Sequence, residues 1–142
     1  MKEVKSNLIF TKVWQDETLF ELEVKVVSEY VTAYQNCYFN DSTINRLSEF
    51  LINYCSGKRD TNYYESGSKI GNGLSAFSLR LSSDRTGHIT IECDIEIEDV
   101  KDRSHRCICN IHTEIGMLEK FAGKRCRLAD NNYYESVSLS GD

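Results

Sequence analysis

The stretch "HITIECDIEIED" (88–99) constrains this chain more than any other, because apolar and polar residues alternate along its whole length. A strand turns successive side chains to opposite faces. Ile89, Ile91, Cys93, Ile95 and Ile97 therefore share one face, and Thr90, Glu92, Asp94, Glu96 and Glu98 share the other. That is the pattern of a half-buried antiparallel strand. The segment "TLFELEVKVV" (18–27) alternates in the same way, with Phe20, Leu22, Val24 and Val26 set against Glu21, Glu23 and Lys25.

Four further segments read as extended: "YVTAYQNCYF" (30–39), "LSAFSLRLS" (74–82), "RSHRCICNIHT" (103–113) and a short strand near "ESVSL". The third of these follows the turn "DVKDRS" and is the returning strand of a hairpin with 88–99. The period changes in "NDSTINRLSEFLINYCSG", where Ile44, Leu47, Leu51 and Tyr54 form a helical stripe. Asp41 or Ser42 can cap its start and Gly57 can end it. A second helix over 113–123 buries Ile115, Leu118, Phe121 and Ala122 under a Thr113 cap, and 56–73 reads as a polar loop. The expected class is α+β, a mainly antiparallel sheet of about six strands with two α-helices on one face. A chain of 142 residues suits one domain with one core, spanning 1–142.

The two halves resemble each other. Sliding the strand at 18–27 onto the strand at 88–99 by one constant offset lays Phe20, Leu22, Val24 and Val26 on Ile89, Ile91, Cys93 and Ile95. The pentapeptide "NYYES" occurs at 62–66 and again at 132–136. A duplicated ββα unit is one explanation. A common motif with a chance pentapeptide is the other.

Apolar content of 40% and charged content of 27% place the chain among ordinary soluble proteins, and no run of 18 apolar residues would span a membrane. The start "MKEVKSNLIF" shows no apolar core or cleavage site of an export signal, so a cytoplasmic location with reduced thiols is expected for the six cysteines. The net charge of −5 argues against nucleic acid or anionic lipid as partner and permits a basic protein.

Residues 105–112 concentrate thiols and imidazoles, the ligands zinc prefers. On a strand, His105, Cys107 and Cys109 fall on one face with Ile111, and His112 falls on the other with Arg106, Ile108 and Asn110. The four cannot converge on one ion. The cysteines read as small buried hydrophobes, and no metal is expected. The loop "GSKIGNG" (67–73) lacks the spacing of a phosphate-binding loop, and no Ser or Cys is paired with one of the three histidines by a local motif. His88 reads as a structural residue at a turn. No catalytic residue or cofactor is expected.

The acidic row is the most unusual surface feature. Glu92, Asp94, Glu96 and Glu98 stand along one strand face, and Glu21 and Glu23 extend that face if the two strands adjoin. Like charges at such spacing repel, so the row adds no stability. It is either a docking surface for a basic partner or a solvated face. Tyr63 and Tyr64 are the next candidates for contact, and with Tyr30 and Tyr34 they would alternatively line a ligand pocket between sheet and helices.

The strings "YYESGSKIGNGLSAFSLRL", "GHITIECDIEIED", "HRCICNIHTEIGMLEKF" and "ESVSL" follow one another in an order that resembles WapI-type immunity proteins, over roughly residues 18–139. These are small bacterial cytoplasmic proteins encoded beside large secreted polymorphic toxins. The resemblance implies a non-enzymatic inhibitor that binds the C-terminal domain of a cognate toxin, often a nuclease. It carries no contact motif onto particular residues. Glu21, Glu23, Glu92, Asp94, Glu96, Glu98, Tyr63 and Tyr64 are therefore contact candidates on charge and pattern alone. The alternative is a small enzyme or ligand-binding protein.

Overall fold

The computed structural model describes residues 6–66, 76–99, 103–124, 128 and 136–140. Its elements in chain order are β1 (Asn7–Gln15), β2 (Phe20–Val27), β3 (Thr32–Phe39), α1 (Asp41–Cys55), β4 (Tyr63–Ser66), β5 (Ala76–Ser83), β6 (His88–Asp99), β7 (Arg103–Glu114), α2 (Ile115–Gly123) and β8 (Ser136–Ser138). The α+β class holds, with antiparallel pairing throughout. Eight strands divide between two four-stranded sheets, ordered β3-β2-β1-β8 and β4-β5-β6-β7. The two strands beyond the expected six are β1 and β4.

Each half runs three antiparallel strands, a helix and one more strand, and that last strand crosses over. β4 follows α1 but pairs with β5, and β8 follows α2 but pairs with β1. Neither sheet is completed by its own half. The ladders repeat as well: Phe10 faces Val24 and, under the offset that relates β2 to β6, Leu79 faces Cys93. The contacts between halves are reciprocal, with β2 against β7, β3 against β6, and α1 packed on α2.

The shared pentapeptide does not follow this repeat. Tyr64 pairs with Leu79, and Phe10, the counterpart of Leu79, pairs with Val137. Val137 therefore stands where Tyr64 stands, whereas the pentapeptide would put Tyr134 there. Residues 132–135 lie outside the described residues.

Both sheets and both helices contribute to one core. Phe10 packs edge-on to Phe77 of the other sheet and to Phe121 of α2, with centroids 6.0 and 5.4 Å apart. Ile44, Leu47, Leu51 and Tyr54 are buried along the expected stripe of α1. Its cap is Asn40, one residue before the expected pair. The Asn40 side chain accepts from the Thr43 amide at 2.9 Å and Thr43 Oγ1 accepts from the Asn40 amide at 2.8 Å, a reciprocal capping box. Gly57, just past the helix end, has φ +100, the left-handed region a glycine adopts without strain. At α2 the cap residue is Glu114, with no side-chain bond to the helix. Thr113 is buried at the end of β7, and its hydroxyl has no hydrogen-bond partner among the described residues. Lys12 is fully buried on β1, where the second half has Leu81, and donates to Gln15 Oε1 at 2.7 Å.

Candidate functional site: two exposed sheet faces

Residues 105–112 form a strand with the expected facing. Ile111 is buried, Cys107 and Cys109 are half-buried, and Arg106, Ile108, Asn110 and His112 are exposed, while His105, on the cysteines' side of the strand, is exposed rather than buried. Cys109 stands directly across the ladder from buried Cys93. Burial pushes the Cys93 thiol far up, and the neighbouring Cys109 adds to the shift. Burial likewise pushes Cys109 up to about 11. These thiols stay protonated near neutral pH and are poor nucleophiles and poor ligands in that form. Among the described residues no group of three or more His, Cys, Asp or Glu side chains could hold a metal ion. His88, at its turn, meets Thr86 Oγ1 at 2.7 Å and Asp84 Oδ2 at 3.3 Å.

The acidic candidates separate into two groups, because β2 and β6 belong to different sheets. Glu21 and Glu23 therefore do not extend the row on β6. On the second sheet, the cross-strand neighbours decide what that row amounts to. One register row runs Tyr63, Arg80, Glu92, Asn110, and Arg80 stacks on Tyr63 with its guanidinium carbon 4.7 Å from the ring centroid. Asp94 is not exposed as its place in the pattern implies: it retains 7% exposure. Arg106, one row along on β7, grips both its oxygens, Nε to Oδ1 at 3.1 Å and Nη2 to Oδ2 at 2.7 Å. A carboxylate covered this way must be paired, and the arginine across the hairpin supplies the pair. Glu92 is exposed and Glu96, opposite Arg106, is half-buried. The Glu98 side chain lies outside the described residues. Arg106 thus neutralises one carboxylate of this row, and Arg80 stands across the ladder from another.

The two tyrosines part company as well. Tyr63 faces solvent and donates to Glu65 Oε1 at 2.7 Å. Tyr64, at 8% exposure, is a core residue between Phe50 and Phe77 and is removed as a contact candidate.

The first sheet's outer face carries what the sequence pattern did not single out. β1 and β2 shift register between Lys12 and Trp14, a bulge that inserts Val13. Without it, alternation would send Trp14 inward after Lys12. With it, Trp14 stands opposite Glu21, and Glu21 stands opposite Tyr38, so the three form one row on the exposed face. Trp14 is 41% and Tyr38 57% exposed, and their rings meet edge-on at 6.3 Å. The next row is Thr11, Glu23, Asn36, and the one after is Ile9, Lys25, Tyr34. The turn beside Trp14 adds exposed Asp16 and Glu17. Asp16 accepts from the amides of Thr18 and Leu19, which hold its carboxyl below the usual range.

A cleft of about 770 Å³ opens along the β7 edge, between the β2–β3 turn (Tyr30, Val31) and Ile108, His112 and Met117. Of the four tyrosines considered as pocket lining, only Tyr30 reaches it. Tyr34 lies on the first sheet's outer face, Tyr63 on the second sheet's, and Tyr64 in the core.

The molecule is thus an α+β protein that presents two antiparallel sheet faces of different chemistry. No family model matches the chain, and neither the curated proteins nor the solved structures include a match. No helix among the described residues is long and apolar enough to cross a membrane.

Proposed function

We propose that the chain is a non-enzymatic immunity protein of the cytoplasm, which binds and neutralises the C-terminal toxin domain of a cognate secreted polymorphic toxin. The observation that carries this reading is the solvent-facing side of the two sheets, where carboxylates stand in register with the exposed rings of Trp14 and Tyr38 on one sheet and beside that of Tyr63 on the other. Aromatic anchors ringed by polar groups are the anatomy of protein-binding surfaces. A toxin that cleaves nucleic acid must offer a basic surface to phosphate, and an acidic protein can occupy that surface. The order of strings that resembles WapI-type immunity proteins supports the same reading. The test is co-expression with the C-terminal domain of the protein encoded by the adjacent upstream gene. A stable complex and protection of cells from the toxin are expected, and the absence of both overturns the proposal.

The cleft along β7 favours a second reading, a small-ligand site, because its volume lies within the range of ligand pockets. Its polar groups are partly engaged already: Ser28 Oγ accepts from the amides of Tyr30 and Val31, and His112 Nδ1 meets Thr90 Oγ1 at 3.2 Å. A ligand screen by thermal shift, with Tyr30→Ala as control, separates the two readings.

A further inference from the structure

We infer that the docking surface is the outer face of the first sheet, centred on the row Trp14, Glu21, Tyr38, and that it takes arginine or lysine side chains from a basic protein surface. This rests on the immunity reading and names the contact within it. Three observations converge. The bulge at Val13 turns a tryptophan out of the core and onto a solvent-facing strand, where much of its large apolar ring stays exposed. Tyr38 and Tyr34, the latter 61% exposed, place two more large rings on the same face. The carboxylates there are not offset across the ladder: Glu21 stands between Trp14 and Tyr38, and Glu23 stands between Thr11 and Asn36. Lys25 is the one cation in these three rows, and Asp16 and Glu17 in the adjoining turn outweigh it.

Rings and carboxylates together select the occupant. A guanidinium or ammonium stacked on an indole or phenol gains cation–π attraction. On this face it also comes within reach of the Glu21 carboxylate, so both interactions favour the same ligand group. A nucleic acid or an anionic lipid surface is repelled by the same carboxylates. The β6 row is the contrasting case, because Asp94 is held by Arg106 and Glu92 stands across the ladder from Arg80, so these carboxylates attract an external cation less.

The experiment measures binding of the full chain to the purified C-terminal domain of the protein encoded by the adjacent upstream gene. Trp14→Ala and Tyr38→Ala should each weaken Kd by about 30-fold or more, as for anchor residues at protein interfaces. Glu21→Lys with Glu23→Lys should slow association about 10-fold or more and flatten its salt dependence. Glu92→Lys with Glu96→Lys should change Kd by no more than about 2-fold, the outcome for a pair lying outside the contact. The charge pair keeps the test decisive if Trp14→Ala does not fold. A tight wild-type complex weakened only by the Glu92 and Glu96 changes overturns the assignment of the face and leaves the immunity reading standing. A wild-type chain that forms no complex overturns both.

Discussion

On the first sheet Glu21 and Glu23 stand beside a tryptophan, a tyrosine, a threonine and an asparagine, whereas on the second Glu92 and Asp94 stand beside arginines. Both rows arise from the same alternation of acidic and apolar residues, on strands that occupy equivalent places in the two halves of the fold. Their electrostatics differ because a neighbouring strand, not the row itself, supplies the compensating charge. An acidic face is available to a partner only when its own sheet leaves it unbalanced.

The inner sides of the two strands give the largest test of their equivalence. Leu22 and its counterpart Ile91 are both fully buried. Leu22→Ala and Ile91→Ala should each destabilise by about 2–5 kcal/mol in urea unfolding, the usual cost of truncating a large core side chain. Comparable losses would show that the exchanged end strands bind the halves into one cooperative unit. A loss confined to one sheet would break the comparison, because the other sheet would then be peripheral.

The outer faces should differ most at Asp94. Arg106→Ala removes the two-pronged guanidinium contact from a nearly buried carboxylate and should lower the urea unfolding midpoint, by less than either core truncation does. No residue of the first sheet's outer rows plays that part among those described. A neutral outcome would mean that Arg106 is as free to meet a partner as the exposed rings of the first sheet.

How much of this was legible depends on what alternation can encode. It gives the face of each residue on β2, β6 and β7, so the inward residues there and the hairpin of β6 with β7 follow from the sequence, whereas β3 buries Gln35 and exposes Tyr34 and Tyr38. It does not say which strands share a sheet, and the grouping of Glu21 and Glu23 with the β6 row failed for that reason. β1 was hidden because Lys12 occupies an inward position and the bulge breaks the period at Val13. The bulge also concealed Trp14 and its alignment with Tyr38. β4 has only four residues within a polar stretch, so the inward turn of Tyr64 had no periodicity to reveal it. Asp94 was the most recoverable miss. The hairpin register sets Arg106 opposite Glu96, one step from Asp94, and that register was implicit in the two strand assignments.

Thiol chemistry separates the sheets further. Cys37 stands across from Leu22 on β3, the place that Ile111 takes across from Ile91 on β7, and both side chains are buried. Burial pushes the Cys37 thiol up from 9.0 to about 12. The folded chain therefore holds this proton more tightly than the unfolded chain. The associated stability is fully present below pH 9.0 and is lost as pH rises toward about 12. Cys55 and Cys109, each raised to about 11, act in the same direction. Melting temperature should fall through this alkaline window, and Cys37→Ala should make the fall shallower. A variant with the wild-type slope would assign the alkaline loss to the other thiols.

The smallest expected effect is also the most direct measure of compensation. Glu92 faces Arg80 across the ladder, and opposite charges so placed contribute roughly 0.2–1 kcal/mol. Glu92→Gln should cost that much and should cost less as salt is added, since exposed charges are screened over about 8 Å at physiological ionic strength. Glu23 faces Thr11 and Asn36, so Glu23→Gln removes no attraction of this kind and should stay within about 0.5 kcal/mol of wild type. A double-mutant cycle of Glu92 with Arg80 isolates the pair from other effects of the substitution. Zero coupling there would make Glu92 and Glu23 alike and would remove the charge argument at that position, leaving the exposed rings and the Asp94–Arg106 pair to distinguish the two faces. A measurable coupling, absent for Glu23 with either of its neighbours, would leave Glu21 and Glu23 as carboxylates whose charge is still available to an external cation.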